Sequence, residues 1–295
     1  MVVTVPATSA NLGPGFDALG LALSLRDEVR VRVEDTSAAA VTVHVDGAGA
    51  DTVPRDSSHL VVRALLTTYD ELGLARPHVQ MWCTNRIPHG RGLGSSAAAA
   101  VAGIVAAHAL SGAELDDDAM LDLAARIERH PDNAAAALLG GLTIAWTEGG
   151  AAHAVRLDPA PQVRVVVLVP DAELATEKAR GMLPAAVPHA DAAHSAGRAA
   201  LLVAAMTSRP DLLMAATEDR LHQAYRADAM PSSADLVSRL RAAGVAAVVS
   251  GAGPSVLALT TSPGHGTGGV DPPAGWAVLD LAVEMQGARV THLEA

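Results

Sequence analysis

The stretch Pro88–Ala100, PHGRGLGSSAAAA, runs three glycines into two serines and then into an alanine-rich helix. Gly90, Gly92 and Gly94 let the backbone turn tightly and approach a ligand closely, and Ser95 or Ser96 can cap the helix that follows. The first turn of that helix presents N–H groups without intrahelical partners at the positive end of the dipole, which suits a phosphate. A serine hydroxyl there can also reach a metal bound to the phosphate. The same residues would equally make a plain strand-to-helix turn, and the segment alone leaves both readings open. It does exclude others: no lysine follows the last glycine as in a Walker phosphate loop, GLGSSA is not a nucleophile elbow, and GRGLG misses the dinucleotide-binding spacing.

Working outward, 295 residues of which 50% are hydrophobic can bury a large core, enough for one large domain or two ordinary ones, and two are expected. One Phe, two Tyr and three Trp leave no aromatic platform for single-stranded nucleic acid. A net charge of −11 likewise argues against polyanion binding, so any phosphate must be held locally by backbone N–H groups, a metal and a few arginines. Cys83 is the only cysteine, which excludes an internal disulfide framework, and its strand-like setting QMWCTN reads as core. The N-terminus lacks a signal-peptide layout and Ser95–Gly112 is too short to span a bilayer comfortably, so a soluble cytoplasmic protein is expected.

Before the glycine stretch, a short apolar strand leads into a Pro/Gly/Asn-rich loop, Pro6–Gly15, with Asn11 and Asp17 as its notable polar pair. Each has a plain reading as well, Asn11 as a left-handed turn residue and Asp17 as a cap. EVRVRVED and VTVHVDG, joined by a Thr/Ser/Ala segment, predict a strand pair with one wet face that includes His44. DSSHLVVRALLTTYDELG predicts a capped amphipathic helix, and HVQMWCT the strand that delivers the chain into the glycine loop.

After it, Asp116, Asp117 and Asp118 mark the start of a further helix. On that helix Asp122 and Glu128 lie about 600° of rotation apart, so at most one of them faces any one site. The helix runs into RHPDN, where His130 precedes a proline and Asp132 or Asn133 can cap the next short helix. LTIAWTEGGAAHAVRL predicts a hairpin, and DPAPQ at Asp158–Gln162 a boundary between domains 1–158 and 159–295. Beyond it come the strand VRVVVLVP, helices containing Arg180 and Arg226, and VAAVVSGAGPSVLALT as strand, glycine turn and strand, with turn N–H groups to spare. Thr261–Gly275 reads as a mobile surface loop and WAVLDLAVEMQGARVTHLEA as a final strand pair.

Taken together, PATSANLGPGFDALG, PHGRGLGSSAAAA and SGAGPSVLAL resemble the three motifs of the GHMP kinases, over nearly the whole chain. SANLGPGFD and the junction ERHPDNAAAALLGG are similar to the branch that acts on L-homoserine. The resemblance implies a two-domain α+β fold, with a ribosomal-protein-S5-like N-terminal half, a ferredoxin-like C-terminal half and the site between them. It implies ATP and L-homoserine as small-molecule substrates, Mg2+ as the metal, and a possible homodimer. Pro88, His89, Gly90, Arg91, Gly92, Leu93, Gly94, Ser95 and Ser96 are then expected to wrap the ATP phosphates, with Ser95 or Ser96 near magnesium. Asn11, Asp17, His130 and Asn133 are expected to line the acceptor pocket, and Arg180 and Arg226 to clamp its carboxylate, which is sound chemistry for a small zwitterion. Asn11, Asp17 and Asp122 are the catalytic candidates. The family's metal carboxylate, a glutamate eight residues before the pocket histidine, falls here on Asp122, one methylene shorter, and Asp122 is favoured over Glu128 as the magnesium partner. No dedicated general base is expected, since phosphoryl transfer leans on positioning and electrostatics. Two alternatives remain at this point: another kinase of the superfamily acting on a different small alcohol, and a nucleotide-binding relative without catalysis.

Overall fold

The computed structural model describes residues 1–34, 41–262 and 266–292. The Ser/Thr/Ala joint after the second strand and the Pro-Gly-His part of the expected surface loop lie outside them.

Strand β1, Val2–Asn11, and the 19-residue β2, Gly15–Val33, are antiparallel neighbours. The expected loop from Pro6 is therefore mostly strand. The register shifts between Pro6 and Ala7, and a bulge is where a residue without an N–H is tolerated. Only Leu12–Pro14 remain as the turn.

β3, Thr42–Gly47, leads to helix α1, Leu60–Glu71, and then to β4, Val79–Asn85, which lies parallel to β3 and antiparallel to β2. β2 and β3 do not pair with each other, contrary to the reading of their alternation. β4 comes between them because its Val79, Met81 and Cys83 are buried, whereas β3 shows Thr42, His44 and Asp46 to solvent, as an edge strand can.

α2, Ser95–Ser111, is buried almost all round. A Cβ at Gly103 would strike the Val61 carbonyl on α1, so small residues let the two helices approach closely. α3, Asp117–Glu128, starts on Asp116, whose carboxylate accepts the Ala119 N–H, as the acidic run predicted. α4, Asp132–Leu139, follows three residues after α3 ends. The hairpin β5, Leu142–Glu148, and β6, Ala151–Leu157, turns at Gly149–Gly150 and joins the sheet through β2. β2 thus serves two partners on one side, β5 at Leu19–Leu21 and β4 at Glu28–Val33, which accounts for its length.

The second sheet opens with β7, Arg164–Val169. Helices α5, Thr176–Gly181, α6, His189–Thr207, α7, Leu213–Ala216, α8, Gln223–Arg226, and α9, Pro231–Ala242, precede the hairpin β8, Ala246–Val249, and β9, Val256–Thr260. β10, Ala277–Leu281, completes the antiparallel order β10-β7-β9-β8. Both faces of β7 are buried: Val165, Val167 and Val169 join the main core, which extends into the first sheet, and Val166 and Leu168 pack with Leu236 and Leu240 of α9.

β11, Arg289–Thr291, returns to the first sheet beside β1. β10 and β11 are therefore not a pair: each completes a different sheet. Within Thr261–Gly275, Val270 packs on the α9 cluster and the Asp271 carbonyl accepts from Arg239, so this part is docked. Among the described residues no helix is long and apolar enough to cross a membrane.

Candidate active site

The chain from β4 to α2 is arranged by its carbonyls. Those of Gly90, Arg91, Gly92 and Leu93 accept from Leu174 N, Ser255 N, Ser250 Oγ and Thr8 N at 2.9, 3.3, 2.7 and 3.0 Å. Among the described residues, none accepts from the backbone N–H groups of Gly90 to Ala97; the first such bond is Ala98 N to Gly94 O. Bonding one side of each peptide to the scaffold leaves the other side for a ligand, an oriented set of donors at a helix N-terminus. Gly92 and Gly94 have φ of 73° and 68°, and an added Cβ would strike the Ser250 carbonyl or the Thr8 hydroxyl respectively. Gly94 itself is the N-cap; Ser95 and Ser96 are the first two helical residues and do not cap, contrary to expectation.

The turn Ser250–Ser255 was expected to have N–H groups to spare; among the described residues the Ala252 N–H is the one left without an acceptor, and the other four are bonded. Gly251 N donates to Ala10 O, Gly253 N to Ser250 O, Ser250 N to Ser255 O and Ser255 N to Arg91 O. The turn is a brace under the glycine loop.

Ser96 Oγ donates to Glu128 Oε1 at 2.7 Å, and both residues line a cavity of about 640 Å³. Burial pushes the Glu128 carboxyl up, against the opposing pull of Ser96 and Arg63. Asp122 lies elsewhere: it accepts from Ala152 N on β6 at 3.1 Å, pairs with Arg126 Nε at 3.3 Å and is absent from the cavity wall. Of the two carboxylates weighed, it is Glu128 and not the favoured Asp122 that stands beside Ser96 on the cavity wall. The six-residue rotation separates the two as foreseen, but α3 presents its C-terminal carboxylate to the loop and Asp122 to the hairpin.

At the other end of the same cavity, Asp17 holds a left-handed φ of 54° and its carboxylate takes Arg180 in a two-pronged pair at 2.6 and 3.0 Å. Asn11 braces this turn, accepting the Asp17 N–H and donating to the Gly251 carbonyl. Arg226 is 2% exposed; it donates to Ala179 O and lines the cavity wall. The single phenylalanine, Phe16, lies under both guanidiniums, 5.7 Å from that of Arg180 and 5.4 Å from that of Arg226. His130 is on the wall, its imidazolium disfavoured first by burial and then by Arg180. Asn133 accepts from Thr8 Oγ1 at 2.7 Å. Pro88 and Arg91 are not on the wall of this cavity; Arg91 bonds the Pro170 and Asp171 carbonyls and anchors the loop to the end of β7.

A second, more apolar cavity of about 300 Å³ shares Ser95 and Ser96 with the first and is walled by Val5, Val29, Pro54, Val61 and Ala98, with His59 and His89 at its edge. Two chambers, one apolar and one charged, thus meet at the free N–H groups of α2.

The family model of the GHMP kinase N-terminal domain matches residues 59–141 and that of the C-terminal domain residues 194–267. A homoserine kinase of Streptomyces avermitilis is 56% identical over 99% of this chain and 96% of its own length. The chain belongs to the homoserine kinase family of the GHMP kinases. The crystal structure of homoserine kinase from Cytophaga hutchinsonii superposes with a TM-score of 0.87 at 28% identity, covering 99% of this chain and 97% of that one. A putative homoserine kinase from Listeria monocytogenes does so at 0.77 and 31%, covering 99% of each chain.

One residue of this homoserine kinase family site went unread in the sequence, and another was read only in part. Arg63 sits on α1, which looked like core packing alone, yet it lines the charged cavity. Asp132 is 3% exposed, accepts the Asn133 N–H and is raised to about 6 by burial, with Asp17 adding to the shift. The junction RHPDN offered it both as a cap and, beside His130 and Asn133, as a ligand group; Pro131 occupies the N-cap.

Proposed function

We propose that the protein transfers the γ-phosphoryl group of ATP to the side-chain hydroxyl of L-homoserine, giving O-phospho-L-homoserine for threonine biosynthesis. The observation that carries this reading is one cavity with free helix N–H groups and the Ser96–Glu128 pair at one end, and Asp17, Arg180 and Arg226 at the other. The N–H groups of Gly90 to Ala97 take the phosphate oxygens, and the apolar chamber takes the base.

Magnesium fits the residues present. Among the described residues no cluster of three metal-ligating side chains exists, and the ion does not need one, because it is held in nucleotide sites by one or two carboxylates, phosphates and water. Glu128 would hold it, with Ser96 or Ser95 alongside. When bound it neutralises charge on the phosphates.

The acceptor end is self-neutralised: Asp17 and Arg180 bond each other. A zwitterion can replace that pair one charge at a time, its ammonium against Asp17 and its carboxylate against Arg180 and Arg226. Mevalonate and sugars have no ammonium to do so. Asn11 contributes by holding the Asp17 turn. His130 and Asn133 flank the path between the two ends, and the reaction relies on this positioning rather than on a dedicated base. The non-catalytic alternative drew on Asp122 alone, and Glu128 at Ser96 removes that support.

The test is ADP release from Mg-ATP with L-homoserine, against L-threonine, L-serine, mevalonate and galactose as acceptors. Turnover dependent on homoserine is expected; preference for an acceptor without an ammonium, or ATP binding with no turnover, overturns the reading.

A further inference from the structure

Arg226 owes its aim to a neighbour one helical turn back. Its Nη1 lies 3.2 Å from His222 Nδ1, and the His222 ring is fully buried. A guanidinium has donors only and keeps its proton, so Nδ1 must be a lone pair. The ring proton is then on Nε2, which lies 2.7 Å from the Gly13 carbonyl and donates to it. Gly13 belongs to the turn between β1 and β2, a few residues from both Asn11 and Asp17. The ring also packs against Phe16, tilted by 31° with centroids 5.1 Å apart. Its own segment is fixed by Asp219, whose carboxylate accepts the N–H groups of Leu221, His222 and Gln223.

We infer that His222 is a positioning residue for the acceptor: as the Nε2–H tautomer it aims the Arg226 guanidinium at the acceptor's carboxylate and ties it to the turn that carries Asp17. The inference rests on the carboxylate role of Arg226 given above. The charged groups facing the ring are Asp219 and Arg226 from its own segment and Asp17 from the first turn, and burial, the largest influence, disfavours the imidazolium. A second proton would turn the acceptor of the Arg226 bond into a donor and break it.

Two substitutions separate the two ring nitrogens. His222→Gln retains a donor near the Nε2 position and loses the acceptor at Nδ1; His222→Asn retains an acceptor near Nδ1. The expected result for His222→Gln in steady-state kinetics is a KM for L-homoserine raised about tenfold, with kcat and the KM for ATP within about twofold. His222→Asn should raise it less than about threefold, since the bond to Arg226 survives. With 3-aminopropan-1-ol, which is homoserine without its carboxylate, His222→Gln and the parent protein should have equal kcat/KM. Equal rises for the two variants, or an equal loss with the carboxylate-free acceptor, would show that the ring only packs and would overturn the inference. Arg226→Lys distinguishes the two levels: an unchanged homoserine KM in that variant sinks the clamp itself, whereas a raised KM there beside an unaffected His222→Gln sinks only the role of His222. If His222→Gln does not fold, 15N chemical shifts of the unsubstituted protein decide, the expected signature being a protonated Nε2 and a bare Nδ1; a proton on Nδ1 near neutral pH overturns it.

Discussion

Two glycine-rich connections, Gly90–Gly94 and Ser250–Ser255, look interchangeable as sequence and do opposite things. In the first, the carbonyls are bonded to the scaffold and the N–H groups are left open. In the second, four N–H groups of the turn are bonded, to Ala10, to Arg91 and within the turn itself, and Ser250 Oγ reaches both Gly92 O and Ser9 Oγ. Composition tells that a chain turns tightly; which half of each peptide remains available depends on partners distant in sequence. A phosphate site is the connection whose donors the fold declines to satisfy, and the brace beside it is the one with all but one of its donors bonded.

The largest effect that would break this contrast is at the open end. Glu128→Gln should lower kcat about 10²- to 10³-fold with the homoserine KM within about threefold, measured with saturating Mg-ATP. A smaller loss than tenfold would return the metal role to some other carboxylate. Next, the two loops can be set against each other. Gly92→Ala, forced to hold a positive φ and to displace the Ser250 carbonyl, should lower kcat/KM about 100-fold. Gly251→Ala, whose added carbon would rest 3.2 Å from Gly92 O, should cost stability of about 1 kcal/mol and leave kcat within about threefold. Equal kinetic losses would mean that the brace also meets the nucleotide.

The charged cavity also opposes stability, and pH exposes it. Asp132 titrates near 6 in the fold because it is buried, so the folded state favours its protonated form; the stability this gives at pH 4 is lost as pH rises through 6. Asp132→Asn should therefore be more stable than the parent by roughly 2 kcal/mol at pH 7.5 and by almost nothing at pH 4, in urea melts at the two pH values. A constant difference at both would remove the carboxyl's charge as the cause. The smallest effect is at the displaced candidate: Asp122→Asn should change kcat/KM by less than about twofold, since its contacts are Ala152 and Arg126.

What the sequence made legible follows the range of the interaction. The glycine loop, the Asp116 start, the Gly149–Gly150 hairpin and the sets at Asp17, Arg180 and Arg226 are local patterns or motif matches, and the structure gathers the last three in one cavity. Strand alternation in β2 and β3 was legible, but a period of two says which face is wet and not which neighbour sits beside it, so the insertion of β4 was hidden. The place of Glu128 beside Ser96 was hidden for a similar reason. Counting residues back from His130 assumes a fixed junction length, whereas the direction of a carboxylate on α3 is set by what the helix packs against. Arg63 and His222 carried no local signal, because their roles arise only where α1 and α8 meet loops far away in the chain.

The return of β11 to β1 has a temporal consequence. Val3 pairs with Val29 on one side and Val290 on the other, so the first sheet lacks its outermost strand until residue 291 has left the ribosome. The Val2–Thr4 end of β1 therefore waits for its cover until a segment far along the chain has been made, and a sheet whose first strands emerge early closes late.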